Sequence, residues 1–120
     1  AETKNGGDRP AIISVTSTDT VADALEKMNV SGVTQLPVID DNTSVGSLRE
    51  SGLLTKLLQN RELMTASVAE VMDGSFPVLE SDATYNEIKS KLQKNPAVLI
   101  EDFKRITSII TRADLLDLPS

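Results

Sequence analysis

The run Ile106-Thr107-Ser108-Ile109-Ile110 leads straight into Thr111-Arg112-Ala113-Asp114-Leu115-Leu116. A degraded copy, Val45-Gly46-Ser47-Leu48-Arg49 followed by Glu50-Ser51-Gly52-Leu53-Leu54, stands about half a chain earlier. A unit of about 60 residues used twice implies two similar halves packed on each other. Between such halves lies a cleft, and clefts of this kind hold small ligands. The duplication therefore points to a sensor, not a catalyst.

Composition narrows the choice. With 120 residues, 39% of them hydrophobic, the chain can bury one compact core but cannot build two large independent domains. A net charge of −6 argues against a phosphate-backbone footprint, and 2% aromatics leave no base-stacking platform, so nucleic acid is not an expected partner. The chain contains neither cysteine nor histidine. That removes thiolate and imidazole metal ligands, cysteine nucleophiles and the commonest general base, leaving carboxylates and hydroxyls as the only catalytic stock. No catalytic residue and no metal site are expected. A chain without disulfides is compatible with a reducing compartment, and a cytoplasmic location is expected. No apolar stretch approaches a signal segment or a membrane span, so no membrane partner is expected.

The polar, glycine-containing residues 1–10 read as a linker or a chain end. Ala11 to Val15 reads as a short strand. Asp19 or Thr20 opens a helix with Val21, Ala24, Leu25 and Met28 on its apolar face, stopped at Gly32. Gln35-Leu36-Pro37-Val38-Ile39, a polar turn from Asp40 to Ser44, and Val45 to Leu48 form a hairpin, and a helix through Leu53, Leu54, Leu57 and Leu58 ends the first half. Asn60 to Thr65 connects the halves, and Ser67 with Glu70 has capping-box spacing for a short helix ending near Gly74. The second half repeats the order: a strand at Phe76 to Leu79, a helix from Thr84 to Leu92 presenting Ile88 and Leu92, a hairpin from Ala97 to Ile100 and Ile106 to Ile110, and a helix from Thr111 to Leu118. The organisation is thus 1–10 linker, 11–60 first repeat, 61–75 connection and 76–118 second repeat. The fold class is α+β: two pseudo-symmetric repeats, each a small three-stranded sheet with two helices.

That order, together with Asp19-Thr20-Val21-Ala22-Asp23-Ala24-Leu25, Gln35-Leu36-Pro37-Val38-Ile39-Asp40 and Ile109-Ile110-Thr111-Arg112-Ala113-Asp114-Leu115-Leu116, resembles a tandem pair of CBS domains, the Bateman module, over roughly Ile12 to Leu118. The resemblance implies a cleft that binds adenosyl compounds such as AMP, ADP, ATP or S-adenosylmethionine, and a regulatory role toward an attached enzyme, transporter or channel. A finer similarity, carried by Leu53 to Leu58, Val68-Ala69-Glu70-Val71-Met72, Phe76-Pro77-Val78 and Ile109 to Leu116, is to the C-terminal regulatory region of cystathionine β-synthase-type enzymes. It implies S-adenosylmethionine as effector, and an attached catalytic domain holding pyridoxal phosphate outside this chain.

Carried over residue by residue, the resemblance places Thr111 and Asp114 on the ribose of the ligand. A carboxylate accepts bonds from both hydroxyls of a cis-diol, and charge-assisted bonds are the stronger ones. The competing reading makes the pair a helix cap, since Thr20 with Asp23, Ser67 with Glu70 and Thr84 with Glu87 have the same spacing. Walls for the adenine are expected from Phe76, Pro77, Val78, Ala97, Val98, Ile109 and Ile110, each of which could equally be core. In the first half the motif positions hold Arg49 and Gly52, which offer a diol no acceptor, so one site per chain is expected, in the second half. Arg49 could bind an anion, pair with Glu50 or stand in solvent. Arg112, Arg105 and Lys104 are the cations a phosphate tail would need. Leucines at 53–58 and 115–118 suggest a homodimer through the domain-ending helices. Two alternatives remain open: an AMP-, ADP- or ATP-sensing pair of another enzyme or transporter, and an oligomerisation module that binds no ligand.

Overall fold

The order of capping and turn residues decides where each element begins. In the computed structural model, which describes residues 12–116, helix α1 (Val21–Ser31) starts at Thr20, whose hydroxyl accepts from the Asp23 amide while the Asp23 carboxylate accepts from the Thr20 amide. This reciprocal box satisfies two amides that the first turn leaves unpaired. The helix ends at Gly32, which sits at φ 70°, a conformation that glycine adopts without a Cβ penalty. Val21, Ala24 and Met28 are buried on one face. The expected linker 1–10, Ala11 and the end of the last helix beyond Leu116 lie outside the described residues.

Strands β1 (Gln35–Asp40) and β2 (Thr43–Arg49) form an antiparallel hairpin, and α2 (Glu50–Gln59) follows without a break. Two short 3₁₀ turns, Arg61–Thr65 and Val68–Glu70, carry the chain across, the second opened by Ser67 and Glu70. The second repeat is β3 (Val78–Glu80), α3 (Tyr85–Leu92), the hairpin β4 (Ala97–Asp102) and β5 (Arg105–Thr111), and α4 (Arg112–Leu116). Thr84 and Glu87 cap α3 reciprocally, as Thr20 and Asp23 cap α1.

The two hairpins superpose in register. Gln35 faces Arg49 as Ala97 faces Thr111, and each ladder slips once, between Val38 and Ile39 or between Ile100 and Glu101. Each turns on two residues at positive φ, Asp41-Asn42 and Phe103-Lys104. The backbone twist of such a turn matches that of the strands it joins. The repeats differ in their leading strand. In the second, β3 runs parallel to β4 over Val78 to Glu80; in the first, the expected strand up to Val15 is reduced to one bridge, Val15 to Val38.

The cores interlock. Val68, Val71 and Met72, which precede the second repeat, pack into the first-repeat cluster around Val21, Met28, Leu36, Val38 and Leu48. Ile12, at the start of the first repeat, packs against the second cluster of Phe76, Ala97 and Leu99. The connection is also hydrogen-bonded to the first repeat: Val68 donates to the Asp19 carbonyl at 2.7 Å, and Ser47 and Asp73 exchange backbone bonds at 3.0 and 2.9 Å. Neither repeat therefore completes its core alone.

Candidate functional site

A cavity of about 420 Å³ opens where the two repeats meet. The first repeat contributes Gly32 to Gln35, the loop that leaves α1 and enters β1. The second contributes Pro96 at the entry to β4, Ile109 and Thr111 from β5, and Arg112 and Ala113 from the start of α4. Alternation along β5 puts Ile109 and Thr111 on one face and Ile110 on the other. The cavity is lopsided: Ser47, Arg49 and Glu50, the first-repeat counterparts of Ile109, Thr111 and Arg112, do not line it.

The strand-to-helix junction is held by its own hydrogen bonds. Asp114 Oδ2 accepts from the Thr111 amide at 2.8 Å and from its hydroxyl at 3.1 Å, and the Asp114 amide donates back to Thr111 Oγ1 at 3.4 Å. The pair is therefore a capping box in this structure, like the three others of the same spacing. The box engages Asp114 through Oδ2, so its second oxygen remains outside the cap and the ribose expectation is compatible with it. Thr111 lines the cavity, whereas Asp114 is exposed beside it. Arg112 donates from Nε to the Leu92 carbonyl at 2.7 Å, which ties α4 to the end of α3 and fixes the guanidinium at the cavity wall.

Of the expected adenine walls, Ile109 lines the cavity. Phe76 and Ala97 stand behind it, 4% and 0% exposed, in the cluster against which Ile109 packs. The low aromatic content made Phe76 conspicuous as a ligand wall, but its ring is core. Val98 is fully buried, Pro77 is half-buried with its carbonyl accepting from Leu99 at 2.8 Å, and Val78 is exposed on β3; none of these, nor Ile110, lines the cavity. Lys104 in the β4–β5 turn and Arg105 at the start of β5 are exposed, away from the lining.

The first-repeat loop Gly32 to Gln35 was missed at the sequence level. The signal was present in the duplication itself: Thr34 and Pro96 hold equivalent places before their hairpins, so a cleft on the pseudo-two-fold axis must take both. Gln35 Oε1 is buried there with no hydrogen-bond partner among the described residues. No group of three or more acidic, histidine or cysteine side chains among the described residues is arranged to hold a metal ion. No helix among them is long and apolar enough to cross a membrane.

Comparison with known proteins agrees with this architecture. The CBS domain profile matches residues 8–59 and again 68–120. A cystathionine beta-synthase of Dictyostelium discoideum is 25% identical over 114 residues, covering 89% of this chain; the chain spans 23% of that protein's length. The crystal structure of the CBS-pair protein CBSX2 from Arabidopsis thaliana aligns with a TM-score of 0.75 at 26% identity, over 88% of this chain and 84% of the other. A CBS domain-containing protein from Bacillus anthracis aligns with a TM-score of 0.79 at 19% identity, over 88% and 82%. Two profile matches, one on each structural repeat, cover most of the sequence, and the chain belongs to the CBS domain family as a tandem pair.

Proposed function

We propose that this chain is the regulatory, non-catalytic sensor of a larger protein and that it binds an adenosyl compound, S-adenosylmethionine foremost, in the cavity between its repeats. The observation that carries this reading is the cavity of about 420 Å³, which joins apolar wall to the hydroxyl and guanidinium of the second-repeat junction. A ligand site has that composition: apolar surface for a ring, and a few polar groups that fix its orientation. Asp114 and Thr111 hold the ribose, Ile109 covers the adenine, and Arg112 stands near the far end of the ligand. The similarity to a cystathionine beta-synthase supports an attached pyridoxal-phosphate-dependent catalytic domain as the regulated partner. Occupancy bridges both repeats, so binding changes the relation between them and passes to whatever is attached.

Titration calorimetry of the chain with S-adenosylmethionine, AMP, ADP and ATP tests the reading. Saturable binding of S-adenosylmethionine in preference to the nucleotides is expected, and absence of heat and of thermal stabilisation with all four refutes it. Preference for AMP or ATP would make the chain an energy sensor instead.

A second surface favours self-association. Leu54 and Leu58 are 48% and 87% exposed on α2, and with Leu57, Arg61 and Met64 they line an apolar groove of about 800 Å³. Two modules meeting through this groove would form a two-fold dimer. The leucine side chains at 115–118, expected to join them, lie outside the described residues. Light scattering should give a dimer mass that Leu58→Glu returns to monomer; a monomer at high concentration for the unaltered chain refutes this.

A further inference from the structure

The segment that leads into α1 belongs to the first repeat except at its tip. The Ser14 carbonyl accepts from Lys27 Nζ at 2.8 Å, and Val15 donates to the Pro37 carbonyl at 3.2 Å and accepts from the Ile39 amide at 2.8 Å. Ser17 donates to Asp40 from both its amide and its hydroxyl. Ile12 leaves this set of bonds and packs against Phe76, Ala97 and Leu99 of the second repeat. Among the described residues it makes no backbone hydrogen bond there, so its side chain alone holds the tip. The half-buried Ile12 can therefore leave its seat without breaking any of the bonds that fix Ser14, Val15 and Ser17. A contact of that kind opens locally, at far less cost than unfolding.

The same three buried residues back the cavity. Ile109 lines the cavity, pairs across the ladder with Leu99 and packs against the same cluster as Ile12. Packed interiors pass a constraint on one side chain to its neighbours, and a cluster with three buried members has little depth in which to absorb it. A ligand that covers Ile109 orders that side chain and the cluster behind it, which lowers the cost of ordering the remaining neighbours. Resting on the adenosyl reading above, we infer that Ile12 reports occupancy of the cavity: it is held in its seat when the cavity is filled and released part of the time when the cavity is open. The change then reaches the residues that precede Ile12, while the bonds at Val15 and Ser17 keep it from the first repeat. Such coupling is reciprocal, so the seated Ile12 must in turn strengthen ligand binding.

The test combines isoleucine δ1-methyl NMR of the unaltered chain, free and with S-adenosylmethionine, and calorimetry of Ile12→Ala and Ile13→Ala with the same ligand. Occupancy should raise the order parameter of the Ile12 methyl and leave that of Ile39, in the first-repeat hairpin, unchanged. Ile12→Ala should weaken binding about fivefold, the low end of coupling between sites. Ile13→Ala, at a side chain 37% exposed, should leave affinity as it was. Saturable binding that leaves the Ile12 methyl unmoved overturns the inference whether or not Ile12→Ala folds, and so does an Ile12→Ala variant of undiminished affinity. The adenosyl reading survives both of those results. If the unaltered chain does not bind S-adenosylmethionine at all, that reading and this inference fall together.

Discussion

The two repeats share a hairpin register and a slip in the same place, yet only one of them carries a hydrogen-bonded Thr and Asp pair at its strand-to-helix junction. In the first, the junction ends in Arg49 and Gly52, and the connecting segment is laid against β2. Ser47 bonds backbone to backbone with Asp73, and its hydroxyl donates to the Gly74 carbonyl at 2.7 Å. In the second, the equivalent strand carries Ile109 and Thr111 into a cavity. One fold has thus been used once to grip its own chain and once to leave room for something else. The duplication supplies the cleft, and the divergence makes it one-sided.

Gly46 shows how tightly the first repeat is closed, and breaking it should have the largest effect. A Cβ there would stand 2.5 Å from Met72 Sδ and 2.9 Å from the Asp73 carbonyl oxygen. Met72 can turn aside, but the carbonyl belongs to the bridge with Ser47. Gly46→Ala should cost about 1–3 kcal/mol in denaturant unfolding, the usual range for overpacking. Its counterpart Ser108 already carries a Cβ, so Ser108→Ala should cost far less. Equal costs would show that the connection does not clamp the first repeat.

Asp114→Ala separates cap from ligand contact. Loss of the box at α4 should lower stability by about 1 kcal/mol. Loss of the ribose acceptor should also abolish adenosyl binding. A variant that melts earlier but binds normally would leave Asp114 as a cap alone. Asp23→Ala, at the box with no ligand role, should show only the first effect.

The turns offer a smaller contrast. Asp41-Asn42 and Phe103-Lys104 hold nearly the same positive φ values, at 48° and 64° against 51° and 64°. Asp and Asn tolerate that region, but a bulky residue does not. Phe103 is 90% exposed, so its ring gains nothing from packing in compensation. Phe103→Asn should raise stability by about 0.5–1 kcal/mol, read as an upward shift in melting temperature, and a loss would show that the ring makes a contact outside the chain described here.

The smallest expected effects are in pH dependence, and they have opposite signs. Asp40 in the first repeat accepts from the Ser17 hydroxyl at 2.6 Å and the Ser17 amide at 3.0 Å, which holds its pKa below the ordinary 3.8. Its contribution to stability is present above that ordinary value and is lost as pH falls through the lowered one. Glu80 in the second repeat lies opposite Glu101 on the neighbouring strand and shares a hydrogen bond with it. That bond, then partial loss of hydration, then the charges of Glu101, Asp82 and Asp102 raise its pKa above 4.5. Its contribution is present below that ordinary value and is lost as pH rises through the raised one. Carboxyl-carbon NMR titration should show Ser17→Ala moving Asp40 up and Glu101→Gln moving Glu80 down.

Much of this fold was legible because its signals are local. Thr20 with Asp23, Ser67 with Glu70 and Thr84 with Glu87 announce their turns in four residues each; the first and last are reciprocal boxes, and at Ser67 the Glu70 carboxylate accepts from the amide and the hydroxyl. Both hairpins follow from short apolar runs around polar turns. The interlocked cores were not legible, because nothing in Val68-Ala69-Glu70-Val71-Met72 says that its apolar face belongs to the preceding repeat. The burial of Phe76 in the second cluster was not legible for a similar reason: an aromatic beside a proline marks a strand entry but not which side of Ile109 the ring will occupy. Gln35 was invisible because an unpaired oxygen exists only after the chain has buried it.

The one-sidedness of the pair is tested most directly by the stoichiometry of ligand binding. Titration calorimetry of S-adenosylmethionine into the chain should give one site per chain, and Asp114→Ala should remove it, while Arg49→Ala should leave affinity and stoichiometry unchanged. Two equivalent sites per chain, or a single site lost with Arg49 and kept without Asp114, would contradict the account.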